Sequence, residues 1–220
     1  MFPAFDHILI EVPVLGAAAD DYARLLPRPT GDSFLLGNVN IRLSQVDGLA
    51  RPRIASLALL DPALASGSSA PLAGGPGNIP LSRAHSREPD YQEPASACGI
   101  YAVDHLVLQS GDADACISLF RDQLGLRLAL DQQVPEWGGR MLFFRHGKMT
   151  LEVIHNPEDP PARDFFWGIT YLCLDIDATL AVLDATGVKH SPVREGRKPG
   201  TRVSTLKSHC LGLPTLLISP

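Results

Sequence analysis

The chain reads as an α+β protein built from repeats of one βαβββ module. Three observations carry that reading. After residue 100, strands and short helices run through the same order twice; an Asp-His dipeptide opens an apolar strand at both Phe5–Ile10 and Val103–Leu108; and glycines at 37, 147 and 212 each stand five residues before a matching point in a closing strand, at Arg42, Glu152 and Leu217.

Taken in order, FDHILI at 5–10 alternates like a strand. A histidine between apolar neighbours is most often a core residue, so it is the recurrence of the dipeptide that marks it. IAS at 54–56 offers a weaker start of a further module, followed by LALLDPALA. From Asp61 to Gly99 the composition turns to Pro, Gly, Ser and Ala with no sustained period, which predicts a long connector. YAVDHLVLQS is then a strand. In GDADACISLFRDQLGL, Cys116, Leu119, Phe120 and Leu124 recur at helical spacing, with Asp112 placed to cap the helix and Gly125 to end it. LRLALDQQ, GRMLFFRHG and KMTLEVIHN predict three strands, with HGK a tight turn between the last two. GITYLCLDI starts the order again, DATLAVLDATG is a helix ended by Gly187, and RVSTLKSHCLGLPTLLISP holds two closing strands, with another near KHSPVRE. Residues 1–60 thus read as a reduced N-terminal copy, 61–99 as the connector and 100–220 as a complete pair of modules.

At 220 residues with 45% hydrophobic side chains the chain can bury a substantial core. A net charge of -5, with no basic block, gives no footprint for nucleic acid, and no apolar stretch reaches the roughly 20 residues a membrane span needs. Asp6 and Glu11 around the first apolar run argue against a secretory signal. Four cysteines without a Cys-x-x-Cys pair fit reduced thiols, and the expected location is cytoplasmic.

The order of elements, with His105 in a first strand and Glu152 in the last strand of the same module, resembles the vicinal oxygen chelate superfamily, which includes glyoxalase I, bleomycin-resistance proteins, extradiol dioxygenases and methylmalonyl-CoA epimerase. The resemblance covers about half the chain, residues 100–220, and is fainter over 1–60. It implies mixed sheets curling around a cleft, a small-molecule ligand, a homodimer, and a divalent metal (zinc, iron, nickel or manganese) held from the first and last strands of paired modules. Carried over by position, the metal ligands are His105 and Glu152, while the second module offers Tyr171 and Leu217. Leu217 cannot bind a metal, so the set is incomplete. In the N-terminal half the same positions hold His7, Arg42 and Ser56.

Glu152 and Tyr171 are the catalytic candidates; Tyr171 is either a buried aromatic or acts through its hydroxyl as hydrogen-bond donor or acceptor to a substrate or a metal-bound water. Trp137, beside two glycines, is a packing anchor or a cleft wall. Arg194, Arg197 and Lys198, in SPVREGRKPGTRV, are either solvated or bind a carboxylate or phosphate at the cleft mouth. His155 falls on the face opposite Glu152, and His146 and His209 are expected to be exposed. Three functional readings follow: a metal-dependent lyase, isomerase or dioxygenase acting on a small oxygenated substrate; a metal-free small-molecule binding protein of the bleomycin-resistance type; and an oligomer component with a vestigial cleft.

Overall fold

A computed structural model describes residues 2–27, 29, 31–72, 79–86, 96–134, 136 and 139–220. Its N-terminal half contains β1 (Phe5–Val12), α1 (Leu15–Tyr22), β2 (Ser33–Phe34), β3 (Asn40–Gln45), β4 (Arg53–Leu60), β5 (Ser68–Pro71) and β6 (Leu81–His85). These strands form a six-stranded mixed sheet in the order β2-β3-β1-β4-β6-β5. The C-terminal half contains β7 (Ile100–Gln109), α2 (Ala113–Ile117), β8 (Arg127–Val134), β9 (Gly139–His146), β10 (Met149–His155), β11 (Phe165–Cys173), α3 (Ile176–Ala185), β12 (Arg194–Glu195), β13 (Arg202–Leu206) and β14 (Thr215–Ser219). Its eight-stranded mixed sheet runs β12-β13-β14-β11-β7-β10-β9-β8 and stays open.

The turn and cap chemistry acts where the sequence places it. Asp112 accepts a hydrogen bond from the Ala115 amide at 2.9 Å, and Asp175 caps α3 through the amides of Asp177 and Ala178. A π-helical turn, Ser118–Gln123, continues α2 before Gly125 ends it at φ +75°. The 61–99 segment, expected to be a connector, carries two strands: β6 lies parallel to β4, and β5 pairs antiparallel with β6. Both are short, and β5 (SSAP) lacks the apolar alternation that identifies a strand.

Pairing registers show that the two sheets are copies of one arrangement. In the first, Phe5 faces Leu59, His7 faces Ala58, Leu9 faces Ser56 and Ile10 faces Ile54, which leaves Asp6 and Ala55 as bulges. In the second, Val103 faces Tyr171, His105 faces Thr170, Val107 faces Gly168 and Leu108 faces Phe166, with bulges at Asp104 and Trp167. The parallel neighbours agree: Leu9 lies opposite Arg42 as Val107 lies opposite Glu152. Within the second sheet the modules are related by a twofold through the Leu106–Ile169 pair, since the bulges at Asp104 and Trp167 each fall two residues before it.

One apolar core joins the halves, running from Phe5, Tyr22 and Leu59 to Leu106, Leu151, Tyr171 and Leu217. Phe5 meets the His146 ring edge-on, 5.0 Å between centroids, so His146 is buried rather than exposed in its turn. Asn38 docks on the end of β7, donating from Nδ2 to the Val103 carbonyl at 2.6 Å and accepting from the Val103 amide at 3.0 Å. The opposite face of the C-terminal sheet, turned away from this core, carries His105, Thr150, Glu152 and Thr170 and is the one expected from the resemblance to line the cleft, the cleft face below.

Candidate functional site

The Asp-His dipeptide marks a β-bulge. An extra residue in one strand breaks the strict alternation of side chains, and Asp104 uses that freedom to place Oδ2 2.8 Å from Nδ1 of its neighbour His105. The same construction recurs in β1, where Asp6 Oδ1 lies 2.6 Å from His7 Nδ1. There Asp6 is also held by the Ser86 amide and hydroxyl.

Register sets the rest of the cluster. Thr150 and Thr170 are the direct partners of His105 on β10 and β11, so all three side chains share one face. Thr170 Oγ1 lies 2.8 Å from His105 Nε2. Glu152, two residues along β10, brings Oε2 to 3.4 Å from the same nitrogen. Arg145 Nη1 donates to Thr150 Oγ1 at 3.0 Å. Asp104 Oδ2 can only accept when ionised, so His105 Nδ1 donates to it, while the Thr170 hydroxyl can donate to Nε2 of a neutral ring or accept from that of a protonated one.

The two carboxylates are driven in opposite directions. Burial pushes the Glu152 carboxyl above the ordinary carboxylate range, opposed by the charges of His105 and Arg197 and reinforced by that of Asp104. Burial also pushes Asp104 up, but the His105 hydrogen bond and the charges of His105, Arg145 and Lys198 outweigh it, and Asp104 lies below its ordinary value. A carboxyl group whose burial favours its protonated form therefore sits beside an imidazole oriented by one whose surroundings favour the ionised form. Such a pair can donate, accept or share a proton with a bound molecule.

His105 and Glu152 come together from strands distant in sequence, and the loop bearing Arg197 and Lys198 lies close enough for its charges to act on Glu152 and Asp104. Arg194 is on the exposed edge strand β12. Trp137 lies outside the described residues. Tyr171 is fully buried on the core face, where its hydroxyl meets that of Tyr22 without forming a well-aligned hydrogen bond, and it does not reach the face that carries His105. Leu217 is likewise in the core. The twofold puts Gly168, not Tyr171, at the counterpart of His105, and Leu216, not Leu217, at that of Glu152. Counting back from the capping aspartates gives the same answer: His105 is seven residues before Asp112, and Gly168 seven before Asp175. Asp104, Thr150, Thr170 and Arg145 are the residues that the sequence reading missed.

The donor set does not fit a resident divalent metal. Gly168 offers no side chain, and a Cβ built there would lie 2.7 Å from the Pro214 carbonyl oxygen, so the backbone excludes a histidine at that position. Leu216 has no donor atom. His105 Nε2, the ring nitrogen facing Glu152, is already engaged by Thr170. Among the described residues no group of three or more His, Cys, Asp or Glu is arranged to hold a metal ion. His7 belongs to the other sheet, and its partner position there is Arg42, ion-paired to Asp32 at 3.0 Å.

Comparison with known proteins bears on the same region. Residues 102–209 match the family model described as Glyoxalase/Bleomycin resistance protein/Dioxygenase superfamily. No curated protein matches the chain. Among solved structures, methylmalonyl-CoA epimerase from Mycobacterium tuberculosis is 18% identical, with a TM-score of 0.47 over 56% of this chain and 89% of that one. A Streptomyces coelicolor methylmalonyl-CoA epimerase variant in complex with 2-nitronate-propionyl-CoA is 22% identical, with a TM-score of 0.45 over 55% of this chain and 97% of that one. A hypothetical protein from Bacillus halodurans is 16% identical, with a TM-score of 0.45 over 54% and 93%. Among the described residues, no helix is long and apolar enough to cross a membrane.

Proposed function

Because residues 102–209 form a domain of the glyoxalase/bleomycin resistance protein/dioxygenase superfamily, we propose that this domain binds a small, oxygenated, anionic molecule on its cleft face, and does so without a resident metal. The observation that carries the reading is the His105–Glu152 approach at 3.4 Å, with His105 held by Asp104 and Thr170 in place of further metal ligands. Glu152, whose burial favours its protonated form, and His105 face the ligand's oxygens; Arg145, Arg197 and Lys198 supply the positive field that favours an anion. On this reading the N-terminal half supports the domain through their common core.

The test is a titration with benzoate and benzamide in the presence of EDTA, followed through the ¹⁵N signals of the His105 imidazole. Benzoate is expected to shift those signals and to bind more tightly than benzamide, and Arg197→Ala is expected to abolish the difference. If neither compound moved them, or if they moved only after zinc, iron, nickel or manganese was added, the reading would be wrong.

The raised Glu152 carboxyl beside His105 also favours a second reading, a proton-transfer enzyme of the isomerase or lyase type. It requires that the wild type accelerate deuterium exchange at the carbon next to the carbonyl of phenylpyruvate, and that Glu152→Gln not do so. Equal rates would leave the domain a binding protein.

A further inference from the structure

The chain contains its own reference for what the cleft face needs in order to fold, because the N-terminal sheet repeats the same registers with other residues. On the C-terminal sheet, the row next to His105 reads Leu130, Phe143, Glu152, Val107, Gly168, each residue opposite the next. The row beyond reads Met141, Ile154, Gln109, Phe165. On the N-terminal sheet the matching positions hold Ser33 for Phe143, Arg42 for Glu152, Leu9 for Val107 and Ser56 for Gly168; in the outer row, Ser44 stands for Ile154, Glu11 for Gln109 and Arg53 for Phe165. Apart from Leu9, serine and charged side chains fill these positions, so the apolar side chains at Phe143, Ile154 and Phe165 are not required by the fold.

That surface is continuous with the polar cluster. Phe143 lies directly opposite Glu152, and Leu130 opposite Phe143; Leu130 is 47% exposed and Phe165 45% exposed, whereas Val107 and Met141 between them are nearly covered. Strands spaced about 4.8 Å apart place Leu130 roughly 14 Å from Val107 across the sheet. We propose, on the basis of the ligand-site reading above, that the ligand is an amphipathic monoanion: an acid group held at His105 and Glu152, and a flat apolar body about two fused rings long lying along Phe143 and Leu130, which follow Glu152 on successive strands. A second copy of the chain is a poorer occupant, because Val107, Glu152 and Met141 are already nearly covered within the chain and leave little apolar area for a protein surface to bury.

The probes are acetate and 2-naphthoate, with ¹⁵N shifts of the His105 imidazole and the Phe143 amide as readouts on the full chain. 2-Naphthoate is expected to bind at least about tenfold more tightly than acetate and to shift both signals, since each tenfold corresponds to only about 1.4 kcal/mol. Phe143→Ser installs the side chain the N-terminal sheet carries at this position, and Leu130→Ser removes the apolar neighbour beside it; each is expected to weaken 2-naphthoate about tenfold or more while acetate still shifts His105. Leu130→Ser alters an exposed side chain, so it keeps the test valid should Phe143→Ser fail to fold. Equal affinity for the two acids at His105 overturns the amphipathic ligand and leaves the anion site standing. If neither acid shifts His105, both fall. Dissociation of a dimer by Leu130→Ser with no change in 2-naphthoate binding identifies the patch as a subunit contact and overturns the proposal.

Discussion

At the scale of single residues, the site depends on a carboxyl group whose burial raises its affinity for a proton. Glu152 has a folded value above its ordinary 4.5, so the folded chain holds this proton more tightly than the unfolded chain does. Its contribution to stability is therefore complete below that value and is lost as pH rises through the folded value. Glu152→Gln should accordingly gain stability relative to the wild type as pH rises from 4.5 toward neutrality, measured by urea unfolding at a series of pH values; a constant difference would show that Glu152 is not shifted. Asp104 has the opposite sign: its stabilisation is present above its ordinary 3.8 and is lost as pH falls through the lower folded value. Tyr171 provides a contrast. Its buried hydroxyl meets only that of Tyr22, without a well-aligned hydrogen bond, so Tyr171→Phe should change stability by no more than about 1 kcal/mol and leave ligand binding intact. Loss of binding in that variant would return Tyr171 to the cleft.

At the scale of elements, Gly168 is where β11 passes closest to the chain entering β14. The Ile169 amide donates to the Pro214 carbonyl at 3.0 Å, and a Cβ on Gly168 would meet that carbonyl oxygen at 2.7 Å. Gly168→Ala should cost about 1–3 kcal/mol of stability in denaturant unfolding, and an unchanged midpoint would show that β11 and β14 yield freely. Much of this architecture is legible in the sequence. The strands and helices of residues 100–220 follow from period and caps, and His105 with Glu152 from the repeated strand. The second-module counterparts were misread because similarity of ITY to VDH was followed in preference to the spacing before the capping aspartates. The glycine frame slips at the last strand, where the turn is irregular, with positive φ at His209, Leu211 and Gly212. β5 and β6 were missed because short, small-residue strands gain their stability from pairing and leave little trace in hydropathy. Thr170 and Arg145 join the site through register, which no local pattern encodes.

At the scale of the whole molecule, the chain is a duplicated sheet arrangement in which one copy keeps the Asp-His-Glu cluster and the other replaces Glu with an ion-paired Arg42. The copies are bound together by shared core and by Asn38, whose amide satisfies both backbone groups of Val103 beyond the end of β10. Asn38→Ala should leave that buried backbone unpaired and lower stability by about 2–3 kcal/mol, read as a shift of one cooperative unfolding transition; a change confined to a minor first transition would mean the halves unfold separately. The central claim is that the cluster on the C-terminal cleft face works through its own acid and base groups. Its most direct test is elemental analysis of protein purified without chelator and then incubated with zinc, iron, nickel or manganese and desalted. The account predicts well under one equivalent of metal, equal in the wild type, His105→Ala and Glu152→Ala. About one equivalent in the wild type, lost in both variants, would contradict it.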